Sequence, residues 1–254
     1  MILGDDQLAD YEEHGYLVLR GAVDRGRLTE VTAWVDEVTA WADADGPGLH
    51  HFEQTDDGPA LARSEDLVGH HAGLRSFLTE GLVPDLAGAL LGEPATLYKE
   101  KVNYKQPGGA GFAPHQDAPA YRFVDFHVSC MVPLDSATEA SGCLWVADGR
   151  PGEVLAMDGL RGLTEEVVAS FEWHPVEVEP GDLLWFDSYV PHRSGTNVTD
   201  VARRALYLTY NAASAGDFRT TYYEDKHATF AGLAGDADRA RLSITDDFLG
   251  RPVT

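Results

Sequence analysis

Lysine is nearly missing from this chain, with four in 254 residues. Arginine lifts the basic total only to 19, against 42 acidic residues, for a formal charge of −23. No basic stripe remains to neutralise a phosphate backbone, so nucleic-acid binding is excluded as a function class. Long apolar runs are missing too: none approaches the roughly 20 residues of a membrane span. The opening MILGDDQLADYEEHGY lacks the basic and apolar regions of a signal peptide. Cys130 and Cys143 are too few for a disulfide framework and match no zinc spacing. The expectation is a soluble, cytoplasmic protein that acts on a small molecule, touches neither nucleic acid nor membrane, and exists as a monomer or homodimer.

What is present is the composition of a folded chain, with 44% hydrophobic residues to supply a core. A single domain over 1–254 is expected, since all-β barrels and sandwiches reach this length undivided. Residues 1–94 read as mostly helical. DDQLADYEEHG offers Asp5 or Asp6 as N-cap and Gly15 as a stop, and Val31, Trp34, Val35, Val38 and Trp41 recur at helical spacing. LRSFLTEGLVPDLAGALLG continues the pattern with a break near Pro84, while 46–59 reads as loop. From about 95 to 213 the chain changes to short β-branched and aromatic runs: TLYKEKVNYKQ, DFHVSCMVPLD, CLWVADG, VEVEPGDLLWFD and RRALYLTYNA. That succession predicts a mainly β fold with flanking helices, its core a sandwich or jelly roll. Residues 214–254 return to helical character.

The chemistry concentrates in four stretches. GGAGFAPHQDAPAY sets His115 and Asp117 two residues apart, so on a strand both side chains share a face. An imidazole and a carboxylate are two of the three ligands in the facial set that holds divalent iron and leaves positions open. Alone the pair is weak, because ten histidines in an aspartate-rich chain give about one such pair by chance. His51 and Glu53 make a similar pair where no strand is expected. PGDLLWFDSYVPHRSGTN carries His192, reachable across two facing sheets; the bland alternative is a loop histidine bonded to backbone. In DVARRALYLTYNA, alternation places Arg203 with Ala205 and Tyr207, and a guanidinium turned inward needs an anion. Otherwise the two arginines are a surface pair. Lys99, Lys101, Asn103 and Lys105 alternate through LYKEKVNYKQ, forming either an anion-attracting wall or a solvated edge strand guarded by lysines.

HQD at 115–117, the PGDLLWF strand, and HRSGTN with Arg203 eleven residues beyond His192 together resemble the phytanoyl-CoA dioxygenase family of iron(II)/2-oxoglutarate oxygenases. The resemblance covers about Asp5 to Phe230. It implies a double-stranded β-helix, the cupin-like jelly roll. It also implies iron(II) held by His115, Asp117 and His192 as the catalytic, metal-binding set, with 2-oxoglutarate as cosubstrate and O2 as oxidant. Arg203 would pair with the distal carboxylate of 2-oxoglutarate, with Ser194 hydrogen-bonding beside it. Asn103 resembles the cosubstrate-contacting asparagine in the I-N-Y-K stretch of the related ectoine hydroxylases, and Lys99 is a further candidate from that strand. The register favours Arg203 over Arg204. Halogenating relatives lack the carboxylate ligand, so a retained Asp117 points to hydroxylation.

KVNYKQPGGAGFAPHQDAPAY and RRALYLTYNAASAGDFRTTYYEDK look most like the branch that hydroxylates 2-aminoethylphosphonate and its N-methylated relatives beside phosphorus. Lys101 and Arg150 would then suit the phosphonate, and Tyr121 or Trp145 the ammonium, unless those aromatics are ordinary core. Arg150 is itself a departure, since many family members read Pro-Gly-Ser-His where this chain has ADGRPGE. That leaves the iron site untouched and the substrate open. A tailoring hydroxylase, desaturase or cyclase of a secondary metabolite fits the same residues. So does a non-catalytic jelly roll that binds a small ligand, or a zinc hydrolase on the same ligands.

Overall fold

Helix-forming sequence dominates the start of the chain. α1 (Asp5–His14) stops at Gly15, whose φ of 76° lets its N–H reach the Tyr11 carbonyl. Its N-cap is Gly4 rather than Asp5 or Asp6, which occupy the first turn and complement the helix dipole there. α2 (Arg25–Asp43) is capped by Asp24, which accepts from Gly26 N and Arg27 N at 3.0 and 3.1 Å. Its Val31, Val35 and Val38 stripe is buried. α3 (Ala72–Thr79) and α4 (Leu82–Leu91) follow, with Pro84 in the first turn of α4, where no helical hydrogen bond is lost.

The computed structural model describes residues 3–44, 46–55, 58–148, 152–158, 162–233 and 252–253. Within the stretch expected to be loop, β2 (Leu49–Thr55) and β3 (Gly58–Glu65) form an antiparallel hairpin. Its alternation escapes a hydrophobicity reading because the side chain it buries inward is His51, paired with Glu65, rather than an apolar group. The hairpin joins β1 (Tyr16–Leu19), β4 (Ala95–Lys105), β6 (Val128–Pro133), β9 (Leu183–Asp187) and β11 (Arg203–Ala212) in a seven-stranded sheet, ordered β1-β9-β6-β11-β4-β3-β2. β5 (Gly111–His115), β7 (Leu144–Ala147), β8 (Trp173–Val176), β10 (His192–Ser194) and β12 (Pro252–Val253) form the second sheet, ordered β12-β5-β10-β7-β8. These two sheets are the jelly-roll core. β4 lies between β11 and β3, so it is an interior strand and not a solvated edge.

The larger sheet carries a different core on each face. Outward, Val102, Tyr104, Val132, Trp185, Leu206 and Leu208 pack with α2, α3 and α4. Inward, Met131, Leu184, Phe186 and Ala205 meet Leu144, Val146 and Val176 of the smaller sheet. Each such aliphatic side chain contributes on the order of 1.5–3 kcal/mol on burial. Toward β4 and β3 the inward face turns from apolar to charged, and the site begins there. α5 (Glu165–Ala169) is short; α6 (Arg219–Leu233) opens the tail expected to be helical, of which 234–251 lie outside the described residues. Among the described residues no helix is long and apolar enough to cross a membrane.

Candidate active site

β5 and β10 are neighbours in the smaller sheet, and His115 pairs with His192 directly across them. The two imidazoles therefore share one sheet instead of facing each other from two, with ring centroids 4.2 Å apart. Each ring bonds through Nδ1 to a carbonyl two residues back, His115 to Ala113 at 2.7 Å and His192 to Val190 at 3.0 Å. A carbonyl only accepts, so the protons sit on Nδ1 and both Nε2 lone pairs are presented as ligands. Asp117 lies just past the end of β5, in a turn rather than on the strand. Its Oδ1 is 3.9 Å from each Nε2, too long for a hydrogen bond.

All three ligand atoms lie within 4.8 Å of one another, and all three residues are buried. Burial, and then neighbouring His192, push the His115 imidazole down to about 3, so it is neutral. Burial works to raise the Asp117 carboxyl, but His192, His115, Lys99 and Lys101 outweigh it and hold the group at about 2. Two imidazoles that present Nε2 and a carboxylate aimed at one point fit a single divalent iron. Gln116, between the ligands, points away: its amide donates to Glu153 O at 3.0 Å and Tyr189 O at 2.5 Å and accepts from Leu155 N. The preceding glycines have a steric reason. A Cβ on Gly111 would lie 2.0 Å from the Ser194 carbonyl oxygen.

An anion-binding feature sits along β11. Arg203 is 3% exposed and donates through Nη2 to Gly142 O at 2.9 Å. Its Nε and Nη1 are buried without a hydrogen-bond partner among the described residues. Such donors are costly to bury unless a ligand accepts from them, and an anionic carboxylate suits a buried guanidinium. Arg204 faces the other way and is satisfied by Asp135 at 2.9 and 3.0 Å and Asp36 at 2.7 Å. Ser194 Oγ accepts from Lys105 Nζ at 2.9 Å and Phe112 N at 3.2 Å, which leaves its own proton to donate.

Lys105 stands across from Arg203 and also donates to Gly195 O at 2.6 Å and Gly142 O at 3.2 Å. Burial, and then Arg203, lower its ammonium to about 7. Asn103 lies between Lys101 and Lys105, with its Oδ1 buried and without a hydrogen-bond partner among the described residues. Lys99 is six residues up β4 from Lys105, roughly 20 Å at strand rise. It cannot share a small carboxylate with Arg203 and lies toward the opposite end of β4.

The lysine-rich strand is a buried wall, with Lys99, Lys101 and Lys105 at 5, 6 and 7% exposure. β3 extends it with residues the sequence did not reveal, since Arg63 pairs with Asn103 and Glu65 with Lys101. Glu65 in turn meets His51 Nε2 at 2.5 Å and Lys226 Nζ, from α6, at 2.7 Å. His127 was also hidden; it is buried, its ring 4.7 Å from Tyr121 and 4.9 Å from Tyr98. Tyr121 is at the site, but its ring already faces Lys99 Nζ at 4.3 Å. Trp145 is not. It pairs with Arg193, one position off the His192–Val146 pair, and so lies on the outward face of the smaller sheet under that guanidinium. Arg150 lies outside the described residues.

A jelly roll with two histidines and an aspartate converging inside it defines a mononuclear metal oxygenase. The comparisons give the family. The family model described as phytanoyl-CoA dioxygenase matches residues 11–205, and this chain belongs to that family. A methylphosphonate hydroxylase from Gimesia maris is 43% identical, over 98% of this chain and 97% of its own. A 2-aminoethylphosphonate dioxygenase from an uncultured bacterium is 36% identical, again over 98% and 97%. Among solved structures, EctD from S. alaskensis with 2-oxoglutarate and 5-hydroxyectoine superposes with a TM-score of 0.69 at 21% identity, covering 84% of this chain and 77% of that one. The non-heme alpha ketoglutarate dependent epimerase SnoN from nogalamycin biosynthesis gives 0.70 at 22%, covering 82% and 83%.

Proposed function

We propose that this protein, acting as one catalytic domain over 1–254, hydroxylates a C–H bond of a small phosphonate. Iron(II) is held by His115, Asp117 and His192, and 2-oxoglutarate is the cosubstrate. The observation that carries the reading is the pairing of the converged ligand set with the two nitrogens of buried Arg203 that have no hydrogen-bond partner among the described residues. The two phosphonate-oxidising relatives, each aligned over nearly the whole chain, support the substrate class.

The overall reaction balances as R–H plus 2-oxoglutarate plus O2 giving R–OH, succinate and carbon dioxide. Bound iron supplies the activation of oxygen. The chain supplies position. The two Nδ1 bonds fix the imidazoles, Arg203 and Ser194 hold the far carboxylate of the cosubstrate, and Lys105 orients the Ser194 hydroxyl. Met131, Leu184, Phe186 and Val146 wall the inward face and exclude water.

The test is phosphonate-dependent formation of succinate by the iron-reconstituted protein, with the hydroxylated product followed by 31P NMR. Absence of that dependence with both methylphosphonate and 2-aminoethylphosphonate overturns the proposal. Asp117→Ala is expected to lose iron retention while keeping its circular dichroism spectrum; stoichiometric iron in that variant, measured by metal analysis, contradicts the ligand assignment.

A further inference from the structure

Resting on that reading, we infer that His127 is a substrate-binding residue, whose imidazole donates a hydrogen bond to an oxygen of the phosphonate group and so sets the substrate's pose. The residue is fully buried, and both ring nitrogens lack a hydrogen-bond partner among the described residues. A neutral imidazole carries one donor and one acceptor, and buried groups of that kind are nearly always bonded. The two ligand histidines show a local solution, each bonding Nδ1 to the carbonyl two residues back. For His127 that carbonyl belongs to Asp125, and it accepts from Tyr189 OH at 2.9 Å instead. A ligand that accepts from the ring would remove the cost of burying it.

Its place in the fold is beside the metal ligands. His127 immediately precedes β6, and alternation with Ser129 and Met131 turns it to the inward face. Ser188 fixes its backbone, accepting from His127 N through Oγ at 3.2 Å and donating its own N–H to His127 O at 3.0 Å. The carbonyl of the same serine accepts from Ala118 N at 2.8 Å, next to Asp117. The ring thus stands near the ligand set without belonging to it, since the converging atoms are those of His115, Asp117 and His192. Tyr98 and Tyr121 meet it at interplanar angles of 81° and 61°, which holds its orientation. Burial pushes its pKa down to about 4, against the pull of Asp117, so the ring is uncharged.

Neighbouring groups decide which chemistry the ring receives. Ser129, Thr209 and Lys99 form one row across β6, β11 and β4, two residues on from His127. Lys99 Nζ lies 4.3 Å from the centroid of Tyr121, the same ring that His127 meets. A ligand atom lodged against His127 is therefore close to an ammonium as well as to an N–H, which favours an anionic oxygen. In methylphosphonate the one carbon is bonded directly to phosphorus, so restraining a phosphonate oxygen also restrains the carbon that reacts.

The test uses His127→Phe, which keeps an aromatic body between the tyrosines and removes both nitrogens, and His127→Gln, which gives up the ring and restores an N–H. His127→Phe is expected to raise KM for methylphosphonate by about tenfold while moving KM for 2-oxoglutarate less than about threefold. It should also form more succinate per hydroxylated product, with iron content unchanged, and His127→Gln should recover most of the loss. Methylphosphonate binding to the metal-free full chain, by calorimetry, should weaken in the same order. A purely packing role predicts the reverse ranking, with His127→Phe like wild type and His127→Gln impaired, and that ranking overturns the inference alone. Wild type oxidising neither methylphosphonate nor 2-aminoethylphosphonate defeats the underlying function instead. Calorimetry then still decides His127: tighter binding by wild type than by His127→Phe keeps its role, and equal binding or none overturns it.

Discussion

Arg203 and Arg204 are adjacent in sequence and opposite in environment. One keeps two buried donors without a hydrogen-bond partner among the described residues; the other is saturated by Asp36 and Asp135 on the helix side of the sheet. Arg203→Ala is expected to raise KM for 2-oxoglutarate by about tenfold to hundredfold, the worth of a charge-assisted pair of hydrogen bonds. Arg204→Ala should leave that KM within about twofold, and steady-state kinetics on the two variants check the one-residue register. Lys105 adds a pH dependence. Its folded value of about 7 lies below the ordinary 10.5, so the unfolded chain binds the extra proton between those values. Protein without cosubstrate therefore loses stability as pH falls through that window. A bound carboxylate restores the ammonium, so 2-oxoglutarate binding takes up a proton above about pH 7 and its KM rises there, by at most about tenfold per unit. KM measured from pH 6 to 9 tests the sign; the Lys105→Met variant should flatten the profile. Alternation in β11 placed Arg203 with Ala205 and Tyr207, and the family resemblance, through its spacing from His192, favoured it over Arg204. Arg63 and His127 carried no such signal, because their meaning depends on partners across strands that only tertiary structure supplies.

At the scale of elements, α6 brings Lys226 and Tyr222 to the site, and what holds it there is an ion pair. Arg219 donates to both oxygens of fully buried Glu100, at 3.0 and 2.6 Å, and to Asp66 at 2.9 Å. Glu100 also accepts from Leu67 N and Val68 N, and Tyr223 OH donates to its carbonyl. Deleting one partner strands a buried charge, so Arg219→Ala is expected to lose about 3–5 kcal/mol. Urea unfolding measures it, and hydrogen exchange should show faster opening over 219–228; unchanged protection there would mean α6 is held by other contacts. The strands β4, β6, β7, β9 and β11 were readable as short β-branched and aromatic runs because each faces a hydrophobic core on at least one side. β2 and β3 were not, since their inward face is His51, Arg63 and Glu65. Nor could the sequence show that β5 and β10 lie side by side; that adjacency, which brings His115 to His192, is a property of the sheet order.

The whole molecule sets a negative exterior around a positive interior. With a formal charge of −23, the surface repels anionic substrates at long range even though the cavity attracts them. Raising ionic strength from about 0.01 to 0.15 M shortens the Debye length from about 30 to 8 Å, which screens the surface far more than the buried cations. kcat/KM for both 2-oxoglutarate and phosphonate is therefore expected to rise with sodium chloride over that range. A steep fall would mean that attraction to the cavity already reaches the solvent.

That inversion of charge also changes how the protein meets amine chemistry. Acylating reagents and acetyl-transferring enzymes need a solvent-facing ε-amine, and none of the four lysines offers one. In the native fold such modification is confined to moments of opening, and ligand that stiffens the cavity should slow it further. Acyl groups counted by mass spectrometry thus become a gauge of how often this enzyme breathes.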